Sequence, residues 1–274
     1  MIEASIAFLF GLLIGSFLNV CIYRLPRDLS VVRPRSHCPS CEKTIAWYDN
    51  IPVASYLRLG GKCRACGARI SPRYPAVELI TGLLFGYFVW YVGPDWLLAI
   101  KMCVFSAILV ALVFTDFEER ILPDEFTLGG TVAGVIFAGF VPLRDPTAVA
   151  VLWLAGVQFS ERFLWIFSAM FGAVFPSLLL WFGGWIYFKL RKRVGLGFGD
   201  VKLTAMIGAF LGFEGALMAL VVASLVGSLL GYLYIKLTGK DTATYELPFG
   251  GFLGASAIAM ALFGKQLLNW YGTL

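Results

Sequence analysis

The stretch WLLAIKMCVFSAILVALVFTDFEER, residues 96–120, joins a long apolar run to a short polar segment. An apolar run of about twenty residues is what an α-helix needs to cross the roughly 30 Å hydrocarbon core of a bilayer. The stretch therefore predicts a membrane-spanning helix with Asp116 at one end. A carboxylate in that position is costly unless it is paired, faces water or takes part in chemistry.

The whole chain has the composition of a membrane protein with several spans. Of its 274 residues, 59% are hydrophobic and only 14% are charged, and the mean hydropathy is +0.81. These values exclude an ordinary soluble domain and predict an all-α polytopic membrane protein. The region 143–162 contains an apolar run too short to cross alone, which predicts an interfacial or re-entrant segment. About eight transmembrane helices are predicted, the sixth of them short: 4–23, 75–92, 96–115, 126–141, 163–188, 201–213, 215–237 and 249–271.

Basic residues predict how the chain is oriented. The loop 24–74, between the first and second predicted helices, contains ten Lys and Arg residues, and cytoplasmic loops are the ones that retain such residues. Threading the chain from this loop places a second basic cluster, 189–193, on the same side and both termini outside. The same orientation brings Asp116 and Asp200, at the ends of the third and sixth predicted helices, to the cytoplasmic boundary of the membrane.

The segment GLGFGDVKL, residues 195–203, predicts a buried position for Asp200. Its glycines at 195, 197 and 199 allow a tight turn and a close helix approach, so a short helix can carry the carboxylate into the bundle. Two carboxyl groups that meet there cannot both ionise at low cost and would share a proton. One then acts as a base toward water and the other as an acid toward a carbonyl, as in aspartyl proteases. The alternative is that each aspartate is only a solvated helix cap.

Two cysteine pairs in the basic loop predict a metal site. Cys38 and Cys41 lie in CPSC, Cys63 and Cys66 lie in CRAC, and 21 residues separate the two pairs. Four thiolates in two close pairs suit a structural, tetrahedral Zn²⁺ site, although another thiophilic metal would fit the same ligands. Disulfide bonds are the alternative, and a cytoplasmic loop disfavours them because that compartment is reducing. The only histidine, His37, excludes a catalytic mechanism based on a histidine dyad.

The aspartate segments also resemble a known family. GLGFGDVKL resembles the GxGD motif of intramembrane aspartyl proteases, and TDFEERILPD resembles the first aspartate motif of bacterial type IV prepilin peptidases. The stretches GSFLNVCIYRLPR, AWYDNIPVASYLRLGGKC and ISPRYPAVE extend this to the family's bifunctional peptidase and N-methyltransferase enzymes, over nearly the whole chain. The resemblance implies that Asp116 and Asp200 are catalytic, with supporting roles for Asp124, Gly197 and Gly199.

The resemblance further implies a reaction and a location. The enzyme would cleave the basic leader from type IV prepilins or pseudopilins after a glycine, then methylate the new amino terminus with S-adenosylmethionine. Residues 1–95, with the zinc loop at about 24–74, would be the methyltransferase-associated region, and residues 96–274 the membrane-embedded aspartyl peptidase domain. The location would be the bacterial cytoplasmic (inner) membrane. The partners would be the prepilin and the lipid bilayer, with no nucleic acid, and the oligomeric state is left open.

The residues that would contact the methyl donor are less marked in the sequence. No glycine-rich loop follows a predicted strand, so the S-adenosylmethionine site is unknown and the donor itself is implied by the resemblance alone. Arg24 and Arg73 are also typical interface anchors, and Glu78 is expected to pair with one of them. The candidates are Asn19, Arg24, Glu42, Lys43, Arg73 and Glu78.

Two further segments are candidates for contact with the substrate. Acidic residues around Asp116, namely Glu118, Glu119 and Glu125, would attract the basic leader, or they form an ordinary solvated loop. The late segment GKDTATYELPFGGFLG, residues 239–254, contains a proline before a glycine turn and is expected to line or gate the cleft.

Three other functions are compatible with parts of the sequence. A peptidase without methyltransferase activity would keep the aspartates alone. A proton-coupled transporter would also use paired acids, but those acids are expected near the membrane midplane between inverted repeats, and no repeat relates the two halves here. A noncatalytic anchor would use the cysteine loop to recruit a partner and would leave the GxGD motif without a role.

Overall fold

The computed structural model describes residues 1–156, 159–193, 195–238 and 247–272. Regular structure in these ranges is helical, which confirms the predicted all-α class, and short 3₁₀ turns occupy Leu25–Arg27 and Trp47–Asp49. The α-helices are α1 (Ile2–Arg24), α2 (Ala54–Arg58), α3 (Arg73–Val92), α4 (Trp96–Glu119), α5 (Asp124–Ala138), α6 (Pro146–Leu154), α7 (Glu161–Arg191), α8 (Phe198–Thr238) and α9 (Phe249–Gly272).

Each of the eight predicted apolar runs coincides with a helix, although the run 126–141 extends three residues beyond α5. Among the described residues, five helices are long and apolar enough to cross a membrane: α1, α3, α4, α7 and α8. The runs 201–213 and 215–237 both lie in α8, and α5 has only 15 residues. The last run lies on α9, of which the apolar part Phe249–Gly264 is described with its side chains. The predicted interfacial segment contains the nine-residue helix α6.

Contacts divide the chain into two compact units, Met1–Thr115 and Asp116–Leu274. In the first unit α1 packs along α3 because small residues lie where the backbones meet. A methyl group on Gly11 would lie 2.8 Å from the Cα of Gly82, and one on Gly15 would lie 2.6 Å from the Cα of Glu78. Larger residues would therefore push these helices apart.

In the second unit α8 packs against α5, α7 and α9. The closest approach of α7 and α8 is at Gly172, where an added methyl group would lie 2.6 Å from the carbonyl oxygen of Gly208. On α5, a methyl group on Gly134 would lie 2.8 Å from the Cβ of Ala209. Glycine at these positions brings the helix backbones into contact, so that α8 is held on two sides.

A break in α8 explains why the sequence contains two apolar runs there. Gly212 has φ 79° and ψ −177°, which interrupts the helix. The buried carboxylate of Asp145 stabilises the restart: its Oδ2 accepts the N–H of Glu214 at 3.1 Å, while its Oδ1 accepts the N–H of Ala148 at 3.0 Å. One side chain thus caps the start of α6 and the start of the second half of α8.

Candidate active site and metal centre

Asp116 lies in the last turn and a half of α4 and is buried, with 5% of its surface exposed. It follows Thr115, whose hydroxyl donates to the carbonyl of Ala111 at 2.8 Å and so remains within the helix. One oxygen of the carboxylate, Oδ2, accepts the backbone N–H of Gly251 at 2.6 Å. Asp116 is therefore not the solvated cap of the alternative interpretation, because its carboxylate is held by a second helix.

Asp200 lies in the first turn of α8 and is also buried, with 9% exposed. Its N–H donates to the carbonyl of Gly197 at 3.2 Å, which forms the tight turn that the glycine run predicts. A methyl group on Gly197 would lie 3.3 Å from Asp200 Oδ2, and one on Gly199 would lie 3.2 Å from Leu122. The two predicted supporting glycines thus border the carboxyl group and the helix connection beside it.

The two aspartates meet at a third helix, at the start of α9. A methyl group added to Gly250 would lie 3.1 Å from Asp200 Oδ1 and 3.2 Å from the carboxyl carbon of Asp116. Both carboxyl groups therefore border the same small space, as expected from the sequence. Carboxyl groups arranged in this way can bind one water molecule between them and exchange its protons.

Residues at the start of α9 were foreseen only as part of a lining segment. Besides the contact of Gly251 with Asp116, the ring of Phe252 packs edge-to-face on Phe117, with the centroids 5.6 Å apart. Gly250 and Gly251 themselves were not predicted as site residues, because, unlike Gly197 and Gly199, they do not adjoin an acidic motif in the sequence. The part of the predicted lining segment at 239–246 lies outside the described residues.

Asp124 is the first residue of α5, and its carboxylate contacts a neighbouring helix. Lys202 Nζ of α8 lies 2.6 Å from Asp124 Oδ1, with about half of the Asp124 side chain exposed. The carboxylate thus forms an ion pair between α5 and α8. Asp124 therefore links the segment after Asp116 to the helix of Asp200.

The four cysteines of the basic loop form one cluster. The sulfur atoms of Cys38, Cys41, Cys63 and Cys66 all lie within 4.8 Å of one another, and those of Cys38 and Cys66 are 3.9 Å apart. Sulfur ligands 2.3 Å from a tetrahedral Zn²⁺ ion are separated by about 3.8 Å, so the cluster fits that ion. The predicted four-cysteine metal site is confirmed, and disulfide bonds are absent because all four cysteines are free.

The same local turn is formed around each cysteine pair. Cys38 N–H donates to Lys43 C=O at 3.0 Å, and Cys63 N–H donates to Ala68 C=O at 2.8 Å. The residue after the second cysteine has positive φ in both turns: Glu42 at 56° and Gly67 at 74°. Hydrogen bonds from the backbone of Ser40 and Cys41 lower the pKa of the Cys38 thiol to about 6, which favours the thiolate that a metal requires.

Asp49, which lies between the two cysteine pairs in the sequence, forms salt bridges that connect it to the second cysteine turn. Both oxygens of Asp49 accept hydrogen bonds from Arg64, which lies within CRAC, at 2.7 Å each, and Arg58 donates to Oδ1 at 2.8 Å. The hydrogen bond from Arg64 is the main reason that the pKa of the Asp49 carboxyl group is lowered. Sequence inspection missed Asp49, although its position between two arginine-containing segments was a signal.

The candidate residues for the methyl-donor site have different surroundings and hydrogen-bond partners. Glu78 is buried, and its Oε2 accepts the N–H of Val53 at 2.7 Å, while its expected pairing with an arginine stays a prediction. Arg24 donates to the carbonyls of Ser30 at 2.9 Å and Pro34 at 2.7 Å, and so folds the start of the loop back. Glu42 belongs to the cysteine turn described above, as does the carbonyl of Lys43.

Asn19 differs from these candidates because the fold satisfies only half of its amide. Its Nδ2 donates to the carbonyls of Gly15 at 3.3 Å and Tyr74 at 3.0 Å. Its Oδ1 is buried and has no hydrogen-bond partner among the residues that the structure describes. A buried acceptor without a donor is uncommon in folded proteins.

Comparisons with known proteins match this architecture along most of the chain. Residues 9–92 match the bacterial peptidase A24 N-terminal domain, and residues 103–232 match the type IV leader peptidase family. The chain is similar to a prepilin leader peptidase/N-methyltransferase of Pseudomonas aeruginosa, with 35% identity over 96% of this chain and 91% of that protein. Proteins with the same name from Aeromonas salmonicida (34%; 97% and 93%) and Neisseria gonorrhoeae (36%; 81% and 79%) are also similar. No solved structure matches the chain significantly.

Proposed function

Because this chain belongs to the prepilin leader peptidase/N-methyltransferase family, we propose that Asp116 and Asp200 form the dyad that hydrolyses the leader bond of a type IV prepilin or pseudopilin. The observation that carries this proposal is the convergence of two buried carboxyl groups on the space beside Gly250. Asp124, Gly197 and Gly199 have supporting roles, as an ion pair between helices and as the turn that delivers Asp200.

The enzyme class follows from the family. The names of the relatives combine leader peptidase with N-methyltransferase, which confirms the predicted class and supports S-adenosylmethionine as the methyl donor. This identity decides against the transporter and anchor alternatives. With its several apolar helices, the chain is a multi-pass protein of the bacterial inner membrane.

The aspartate pair has the groups that peptide hydrolysis requires. One carboxylate takes a proton from water while the other, protonated, donates to the carbonyl oxygen, and a carbon–oxygen bond forms. The tetrahedral intermediate then collapses, the carbon–nitrogen bond breaks, and the leaving nitrogen receives a proton from the dyad. We place this site at the cytoplasmic edge of the membrane, where the basic loop 24–74 also belongs by charge.

The methyltransferase activity is assigned to the region 1–95, which includes the metal loop. Asn19 is the candidate that we expect to contact the methyl donor or the amine that accepts the methyl group, because its buried Oδ1 lacks a donor. S-adenosylmethionine supplies an electrophilic methyl group when bound. Asn19→Ala should lower N-methylation of a precleaved pilin by about tenfold, the loss of one hydrogen bond to a charged group, while leader cleavage stays at the wild-type rate.

Attraction of the basic leader is assigned to the acids after Asp116. Glu118 is exposed and Glu119 is half-buried, and both follow the catalytic residue within the same helix. Reversing both charges should raise KM for a prepilin with a basic leader and leave KM unchanged for one with a neutral leader. If the variant had the wild-type KM for both substrates, this assignment would be wrong.

The dyad is tested by cleavage of a prepilin with purified wild type, Asp116→Asn and Asp200→Asn in detergent. Each substitution should lower kcat by about 10³-fold or more, because asparagine cannot exchange the proton. Thermal unfolding and methylation of a precleaved pilin serve as controls for folding, and both should be retained. Full cleavage by either variant would overturn the assignment of the dyad.

A further inference from the structure

The backbone at the start of α9 contacts the aspartate site. The helix begins at Phe249, after Pro248, and its first turn contains the consecutive glycines Gly250 and Gly251. The N–H of Gly251 is directed at Asp116 Oδ2 at 2.6 Å. N–H groups in the first turn of a helix have no partner within the helix, so this one can hold a carboxylate without breaking the helix.

Gly250 lies at the point where three groups converge. A methyl group at this position would lie 2.8 Å from Leu122 Cδ1, 3.1 Å from Asp200 Oδ1 and 3.2 Å from Asp116 Cγ. These distances are shorter than the separations at which carbon makes favourable contacts, about 3.5–4.0 Å. The side chain of any other residue would therefore occupy the space that the two carboxyl groups share.

Helix stability does not explain glycine at this position. Glycine weakens a helix relative to alanine because it loses more backbone freedom on folding. Within the same helix, an added methyl group on Gly264 meets no atom of the described residues within 4 Å, so the effect of a methyl group on helix stability can be measured there. Gly250 differs from Gly264 in what surrounds it.

We propose that Gly250 is a positioning residue of the peptidase: its missing side chain keeps open the space between Asp116 and Asp200 that water and the scissile carbonyl must enter. This inference rests on the proposed function of the dyad. The residue acts through the carboxyl groups and contributes no chemical group of its own. Because the space lies between the reacting carboxyl groups, we expect the residue to affect the turnover of bound substrate more than its binding.

The test compares leader cleavage by wild type, Gly250→Ala and Gly264→Ala, each with its melting temperature and its rate of methylation of a precleaved pilin. Gly250→Ala should lower kcat by about 100-fold or more, the effect expected for reacting groups displaced by about 1 Å, with KM within about twofold of wild type. Gly264→Ala should cleave at the wild-type rate. Normal cleavage by Gly250→Ala would overturn the proposal.

A second pair of variants separates the open space from packing against Leu122. Leu122→Ala removes the leucine contact, so Gly250→Ala in that background meets only the two carboxyl groups. This double variant should still turn over about 100-fold more slowly than Leu122→Ala, and it carries the test if Gly250→Ala alone is poorly folded. Recovery to the rate of Leu122→Ala would mean that Gly250 only relieves packing, and would overturn the proposal.

The aspartate variants show which hypothesis has failed. If Asp116→Asn and Asp200→Asn are inactive but Gly250→Ala is active, only the role of Gly250 is wrong. If the aspartate variants cleave normally, the dyad is wrong, and with it the inference that depends on it.

Discussion

The cysteine cluster and the aspartate site are built over very different distances along the chain. Each half of the cysteine cluster is one short turn closed by its own backbone hydrogen bonds. The first and last cysteines of the cluster, Cys38 and Cys66, are only 28 positions apart in the sequence. The aspartate site needs the end of α4 and the starts of α8 and α9, and the hydrogen bond that holds Asp116 joins residues 135 positions apart. Local turns can form the first site, whereas only correct helix packing can form the second.

Removal of the metal should have the largest effect and should remain within the cysteine region. Binding to four thiolates contributes on the order of 10 kcal/mol to folding of such turns. Chelation, or Cys38→Ser with Cys63→Ser, should reduce the metal content from one zinc per chain to near zero. Amide exchange of residues 36–70 should become fast.

The amides of α8 near Asp200 serve as the control, and their exchange should remain slow. Zinc retained at full stoichiometry by the double serine variant would contradict the ligand assignment. Loss of protection around Asp200 would contradict the separation of the two regions.

Packing of α7 on α8 should affect the aspartate region next most strongly. A methyl group on Gly172 would meet the backbone of α8 at 2.6 Å, whereas one on Gly183 of the same helix meets no atom within 4 Å. Gly172→Ala should therefore destabilise the protein by about 3 kcal/mol, the upper range for overpacking. Thermal unfolding in detergent measures the difference, and zinc content should not change.

Gly183→Ala is the matched control and should be neutral or stabilising by up to about 1 kcal/mol. Equal melting temperatures for the two variants would show that the α7–α8 contact does not limit stability.

Loss of the Asp145 cap at the start of the second half of α8 is expected to have a smaller effect on stability. Asp145→Ala leaves the N–H groups of Ala148 and Glu214 without their acceptor, which should cost about 2 kcal/mol. Asp145→Asn keeps one acceptor oxygen and should have an intermediate effect. Ser160→Ala, which removes an exposed cap of α7 with a 3.4 Å hydrogen bond, is the comparison and should cost less. A larger loss for Ser160→Ala would mean that the break at Gly212 does not depend on Asp145.

The smallest effect is expected for the two cysteine turns themselves. Glu42 adopts positive φ where the second turn has Gly67. Glu42→Gly should relieve about 0.5–1 kcal/mol of backbone strain, and Gly67→Ala, whose methyl group meets no atom within 4 Å, should introduce a similar cost. Zinc competition assays should show affinities that rise and fall by about threefold to fivefold. Changes in the same direction would show that backbone strain is not the determining factor.

The helices and the cysteine cluster were predictable because their signals lie within short segments. Apolar runs indicate the membrane spans, and two cysteines three positions apart are close enough to bind one metal ion together. Hydropathy predicted separate runs on either side of Gly212, and the structure places both runs in α8, which Gly212 interrupts. Asp145, which caps the restart of that helix, comes from a different segment and carried no such signal.

The aspartate site was only partly predictable. The chemistry of Asp116 and Asp200 was visible in their positions and motifs, but the partners of each side chain were not. The hydrogen bond from the backbone N–H of Val53 to buried Glu78, for example, has no signal in the sequence. Gly250 and Gly251 act through a missing side chain and a backbone group, and neither property distinguishes these glycines from others in the sequence.

By itself, the sequence determined a helical membrane protein with a four-cysteine metal loop and two acidic residues in membrane helices. It did so because hydropathy and ligand spacing are properties of neighbouring residues. Only the tertiary structure decided that the two carboxyl groups border one space and that Gly250, which has no side chain, lies beside it. Such an arrangement depends on the packing of helix ends from distant segments, where a single methyl group would fill the gap.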